Sequence, residues 1–210
     1  MNKILRDGDK LFLNSDIDSL EIINGEVIIY INDLDDFKIN INLLDNSKVL
    51  IYDYSTKNVN KEIYISQENN TYLRYVHTFR VDGKYNLKYL VNLNGDNNTN
   101  DIFISGVSNG DVVLDIDGKV ESKSRDNVLN ENIKVLTNKG KCFVAPKLHI
   151  SALNVLANHN TAISNVRESE LFYLASKGID KKFALALIED GYVYGYLKKY
   201  SSEFYDLIKE

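Results

Sequence analysis

The only cysteine of this chain, Cys142, lies shortly before its only proline, Pro146, and His159 follows in the same stretch. A thiolate is the reactive and metal-binding form of cysteine, and the flanking Lys139 and Lys141 favour that form. His159 falls where a long β-type region hands over to a short helical one, so chemistry is expected to concentrate between Pro146 and Gly178. Each residue also has a plainer role open to it: Cys142 as a small apolar filler in a strand, His159 as a hydrogen-bonded turn residue. His149 alternates against Leu148 and Ile150 and reads as a surface strand position. His77, set between aromatic strand residues, reads as structural.

Other chemistries find little support. There is no Gly-rich phosphate loop of the G-x-x-x-x-G-K-[ST] kind, so ATP hydrolysis is not expected of this chain. Neither G-x-S-x-G nor H-E-x-x-H occurs. The carboxylates gather in turn-like runs such as DLDD, from Asp33 to Asp36, and DIDG. A glycan-binding or glycan-active β-helix protein, with acid groups in a groove, stays open as a distant alternative. No catalytic set emerges, and the chain reads as a non-enzyme.

The elements that must position these groups are mostly strands. LEIINGEVIIYI holds two β-type runs around Asn24-Gly25, a hairpin signal. FKININL, KVLIYDY, KEIYISQ, TYLRYVHTF, YNLKYLVNL, DIFISG, DVVLDI, KVES, NIKVLT and KLHI follow, β-branched, aromatic or alternating. Asn, Asp, Gly and Ser clusters break them and turn the chain. Many short strands leave a sandwich, a barrel or a β-helix. The unbroken strand succession and near-absence of proline fit stacked coils, yet no repeat period shows, and sandwich and β-helix stay level. From about residue 165 the pattern turns helical. Asn165 with Glu168 reads as an N-cap, and Gly178 as a left-handed stop. Asp180 then caps KKFALALIEDG, which Gly191 is expected to end, and Ser202 caps the last segment.

Composition sets outer bounds. The 210 residues carry a formal net charge of −5 and an isoelectric point near 5.3, which argues against a nucleic-acid binder. No apolar run approaches the roughly 20 residues that span a bilayer, so no membrane partner is expected. A single cysteine and a polar N-terminus, MNKILRDGDK, favour a cytoplasmic chain. The Asn, Ile, Lys and Tyr richness looks like that of an AT-rich genome.

Read together, the C-terminal motifs resemble the core of the SufB and SufD family of iron–sulfur cluster assembly proteins, in a short form. The resemblance rests on Pro146, Leu148, Ile150, Ala152, Val155, His159, Ser164, Glu168, Leu171, Phe172, Tyr173, Leu174, Ser176, Gly178, Ile179 and Gly191. GKVES and NIKVLT upstream are similar to family strands, so the likeness covers about Gly118 to Gly195, and LFYLxS[RK]GI below a histidine is its specific part. Departures are Ala157 for a cysteine, Asn160 for Gly or Glu, Thr161-Ala162 for Ala-Thr, and Leu153-Asn154 for an Asp pair. Where SufB-type members carry a cysteine before the proline, this chain has Gly140, with Cys142 close by at the same strand parity.

The resemblance implies a right-handed parallel β-helix over residues 1–164 and a short helical tail over 165–210 within the same unit. It implies an assembly scaffold subunit working with a SufC-type ABC ATPase, or alternatively a SufD-like structural partner holding no cluster. The implied partners are the ATPase and a second SufB/SufD-type chain, as homodimer or heterodimer. The ATPase would dock on the helical tail at Phe172, Tyr173, Leu174, Phe183, Leu187 and Ile188. An iron–sulfur cluster wants about four ligands, mostly thiolates. One cysteine cannot enclose one, so a transient cluster would be shared across chains, with Cys142 and His159 as metal ligands from stacked adjacent turns.

Overall fold

A computed structural model describes residues 1–209. The odd strands are β1 Asn2–Leu5, β3 Ser19–Ile22, β5 Phe37–Leu43, β7 Asn60–Gln67, β9 Tyr85–Leu93, β11 Val112–Val120 and β13 Cys142–Ile150. The even strands are β2 Lys10–Phe12, β4 Gly25–Asn32, β6 Ser47–Ser55, β8 Tyr72–Val81, β10 Thr99–Ser108, β12 Asn127–Thr137 and β14 Val155–Ser164. Odd strands form one seven-stranded sheet and even strands another, each ordered by sequence. Every described ladder is parallel. The chain is therefore a β-solenoid in which each coil adds one strand to each sheet, and the sandwich reading falls away.

Alternation selects what fills the solenoid. In β5, Ile39, Ile41 and Leu43 turn inward while Lys38, Asn40 and Asn42 face solvent. Register then stacks inward side chains into columns, such as Ile39, Ile63, Tyr89, Ile116 and Pro146 through the odd sheet. The Asn24-Gly25 hairpin does not form. Gly25 is instead a corner between sheets, with φ +70° and Asp7 packed where a side chain would stand.

The corners explain the missing repeat. Neighbouring coils lie 17 residues apart at the N-terminal end, where Ser19 Oγ donates to Asn2 Oδ1. The spacing reaches 30 at the other end, where the Lys141 N–H donates to Asp111. A drifting period leaves no fixed interval to detect. One corner is nonetheless uniform: Asn46, Asn70, Asn97, Asp126 and Asn154, just before successive even strands, all adopt positive φ. Asn and Asp tolerate that region, and their amides bond along the column, as Asn154 Nδ2 does to Asp126 at 2.6 Å.

The tail comprises α1 Glu168–Ser176, α2 Lys181–Tyr200 and α3 Ser202–Lys209. Gly178, at φ +80°, closes α1: its N–H reaches the Ala175 carbonyl and the Ile179 N–H that of Leu174. Asp180 caps α2 as expected. Three details differ. The N-cap of α1 is Arg167, whose N–H donates to Glu170 at 3.0 Å, rather than Asn165. The cap of α3 is Ser201, whose Oγ accepts from the Phe204 N–H, rather than Ser202. Gly191 does not end α2, which continues because Val193, Tyr194 and Leu197 bury themselves against the outer face of the even sheet. That burial outweighs the helix-propensity cost of about 1 kcal/mol at each glycine. Tyr30, Tyr52, Tyr54, Val76, Val107 and Leu136 form the floor there, and the Tyr52 hydroxyl donates to the Tyr200 carbonyl at 2.8 Å.

Candidate functional site

The final coil holds both residues singled out by type. As end members of their sheets, β13 and β14 have a neighbour on one side only, which leaves a free backbone edge on each. Cys142, Val144, Leu148, Val155 and Ala157 pack inward on the preceding coil. The helices cover the outer face of the even sheet from β4 to β12 and leave most of β14 exposed.

Cys142 opens β13 and stacks on Val112, half-buried. Burial pushes its thiol up, and Lys139 and Lys141 lie exposed beside it without reversing the shift. This corrects the expectation of a thiolate: the resting group is a neutral thiol. His159 closes a column running Ile29, Ile51, Tyr75, Ile102, Glu131 and His159 through the even sheet. Its inward parity at an open end leaves it exposed. Cys142 and His159 thus share one coil in opposite sheets, and do not stack on adjacent coils as expected. Among the described residues no three His, Cys, Asp or Glu side chains group to hold a metal ion. These two residues offer half of a cluster's ligand set and fit only a site that a partner completes.

The cysteine position of SufB-type members is closed here. Gly140 sits at φ +77°, and a Cβ on it would lie 2.2 Å from the Gly110 carbonyl oxygen. The next inward-facing side chain comes two residues later, at Cys142. His149 lies on the surface, 3.4 Å from Asp117, as its alternation indicated.

Sequence reasoning missed Glu131. It is 1% exposed, both its oxygens lack partners, and it stands beside His159 in register. Burial, reinforced by Asp117, pushes its carboxyl up to about 8 from an ordinary 4.5. Between those values the native chain holds a proton that the unfolded chain has released, so stability falls as pH rises through that window. Glu131→Gln is expected to melt with wild type near pH 5 and to exceed it by about 2–4 kcal/mol near pH 8.5. Parallel melting curves for the two proteins across that range would show that Glu131 stays charged in the fold.

A second buried group lies deeper. Lys61 Nζ donates to Asp53 Oδ1 at 2.6 Å and to Ser55 Oγ, with both side chains of the ion pair fully buried. The Tyr75 hydroxyl donates to Asp53 Oδ2 at 2.8 Å, and His77 Nδ1 lies 3.2 Å from the same oxygen. The Tyr85 hydroxyl completes the set at 2.8 Å from His77 Nε2. His77 is therefore structural, as its aromatic neighbours indicated. The inward parity of Asp53 and Glu131 was the available signal, masked by reading carboxylates as turn residues.

On the helices, Phe172, Tyr173, Phe183 and Leu187 are large, apolar and exposed, while Leu174 and Ile188 are half-buried. Packing on the solenoid does not account for the first four, and α1 buries no residue at all. No described helix is long and apolar enough to cross a membrane.

Comparison with known proteins agrees with this geometry. The family model described as the SufBD core domain of SUF system FeS cluster assembly matches residues 40–192. An iron–sulfur cluster assembly SufBD family protein of Synechocystis sp. is 38% identical over 64 residues. That stretch is 30% of this chain and spans only 14% of the relative's length.

Proposed function

The chain belongs to the SufBD core-domain family of the SUF iron–sulfur cluster assembly system, and from that premise we propose that it is a scaffold subunit pairing through its open C-terminal coil. The observation that carries this reading is the free edge of β13 and β14 together with Cys142 and His159 on that one coil. A partner strand added to either edge would continue the sheet. It would also bring its own ligands toward the half-set present here. The cluster is the cargo of such a pair, and a metal ion would displace the proton that burial keeps on Cys142. A SufC-type ATPase would dock on Phe172, Tyr173, Phe183 and Leu187, and the complex would act in the cytoplasm. The chain itself carries out no catalysis in this scheme.

One observation favours the alternative, a SufD-like structural partner without a cluster: burial raises the Cys142 thiol, and among the described residues no three His, Cys, Asp or Glu side chains group to hold a metal ion. Anaerobic reconstitution of the assembled complex with iron and sulfide separates the two. The scaffold reading expects visible cluster absorbance that Cys142→Ala and His159→Ala each reduce severalfold with the complex intact. Unchanged absorbance in both would leave a structural subunit. In the same preparation Phe172→Glu is expected to weaken ATPase capture. This is a cleaner probe than deleting the tail, since α2 and α3 cover Tyr30, Tyr52 and Tyr54.

A further inference from the structure

Between α2 and the outer face of the even sheet lies a cavity of about 590 Å³, within the size range of small-ligand sites. Its floor is Ser105 on β10 and Lys134 on β12, direct neighbours in register. Gly191 and Gly195, one helical turn apart, form a notch on the facing flank of α2, and Tyr196 and Lys199 continue that wall.

Three features of this cavity lack a structural explanation. The Ser105 hydroxyl is buried, with the residue 3% exposed, and has no hydrogen-bond partner. An unmade hydrogen bond of that kind costs about 1–3 kcal/mol unless something fills it. Lys134 and Lys199 form no ion pair among the described residues, although the chain carries a net charge of −5. Each ammonium instead lies over a tyrosine, Lys134 at 5.2 Å from the Tyr196 ring and Lys199 at 4.9 Å from that of Tyr200. The two glycines leave the notch open, for a Cβ at either position would meet nothing within 4 Å.

We propose that this cavity binds a small organic phosphate. Lys134, Lys199 and the Ser105 hydroxyl hold the phosphoryl group, and the organic body lies along Gly191 and Gly195 against Tyr196. Two lysine point charges suit a compact dianion, whereas a planar carboxylate is better matched by the fork of an arginine. Leu187 and Ile188 also line the cavity, so it adjoins the proposed ATPase-docking surface, while neither Cys142 nor His159 contributes to it.

Calorimetric titration of the 210-residue chain at low salt tests this with phenyl phosphate, inorganic phosphate and benzoate. Phenyl phosphate is expected to bind about tenfold or more tighter than either of the others, because it alone meets both charges and the notch. Lys134→Gln and Lys199→Gln are each expected to weaken it about tenfold, and Lys198→Gln, on a neighbouring residue outside the lining, to leave it unchanged. Gly195→Leu fills the notch without disturbing the helix, as leucine is the better helix former, and is expected to abolish binding. Ser105→Ala should retain the fold and weaken binding. No phenyl phosphate binding in the millimolar range, benzoate binding equally well, or full binding by Gly195→Leu would each overturn the proposal.

Discussion

Lys61→Met is expected to lower the unfolding free energy by about 3–5 kcal/mol at neutral pH, because it leaves Asp53 buried without its counter-charge. Lys61 projects inward between Phe37 and Leu87, its register neighbours, and its ammonium is the group that pairs Asp53 Oδ1. Burial by itself would raise the Asp53 carboxyl, but Lys61 and then His77 outweigh it and hold the group well below the usual carboxylate range. Such a depressed group contributes stability that is present above its unfolded value and is lost as pH falls. Burial also lowers His77, so acid weakens the fold at two adjacent positions. Without Lys61 the Asp53 carboxyl takes up a proton more easily, so the gap between variant and wild type should narrow as pH falls toward about 4. Replacing both partners, Asp53→Leu with Lys61→Met, should recover only part of the loss, since apolar groups can fill a buried ion-pair site but leave the Tyr75 hydroxyl without its acceptor. Urea unfolding at the two pH values reads all of this. A single variant within about 1 kcal/mol of wild type at neutral pH would mean that water reaches Asp53.

Gly140→Ala is expected to cost about 2–4 kcal/mol, by strain at positive φ together with overpacking. Glycines 83, 110 and 140 sit one above another at a single corner. A Cβ on Gly110 would stand 2.2 Å from the Gly83 carbonyl oxygen, and one on Gly140 2.2 Å from that of Gly110. Backbone is what each would strike, so no side chain can swing away, and the coil that carries Cys142 must shift. Gly191→Ala supplies the contrast: its added Cβ meets nothing within 4 Å, and alanine favours the helix, so that variant should be neutral or stabilised. Thermal melts of the pair test this. Equal melting temperatures for both variants would show that the corner yields.

The strand runs, the β-to-α handover and the caps at Gly178 and Asp180 were legible because each rests on local chemistry. Alternation reports a half-buried strand wherever the strand goes, and an aspartate before a helix finds its N–H groups unaided. Partner strands were a different matter. Asn24-Gly25 carries the local signal of a hairpin, yet parallel coils take those strands into opposite sheets. Likewise Gly191 carries a stop signal, which the aromatic floor beneath α2 overrides. Asn and Asp, legible as turn formers, line up in a column of left-handed corners that only the stacked coils reveal.

The same division runs through the site. By itself the sequence determined the residue types that matter, the thiol of Cys142 and the imidazole of His159 on either side of Pro146, and, through LFYLxSKGI, the family. Only the tertiary structure decided that the two share one open coil, that the thiol is neutral, and that Glu131, Asp53 and Lys61 lie inside. The physical reason is the coil spacing, which grows from 17 to 30 residues. Neighbours in a column are set by register across coils of unequal length, and no fixed interval in the chain records which residues will stack.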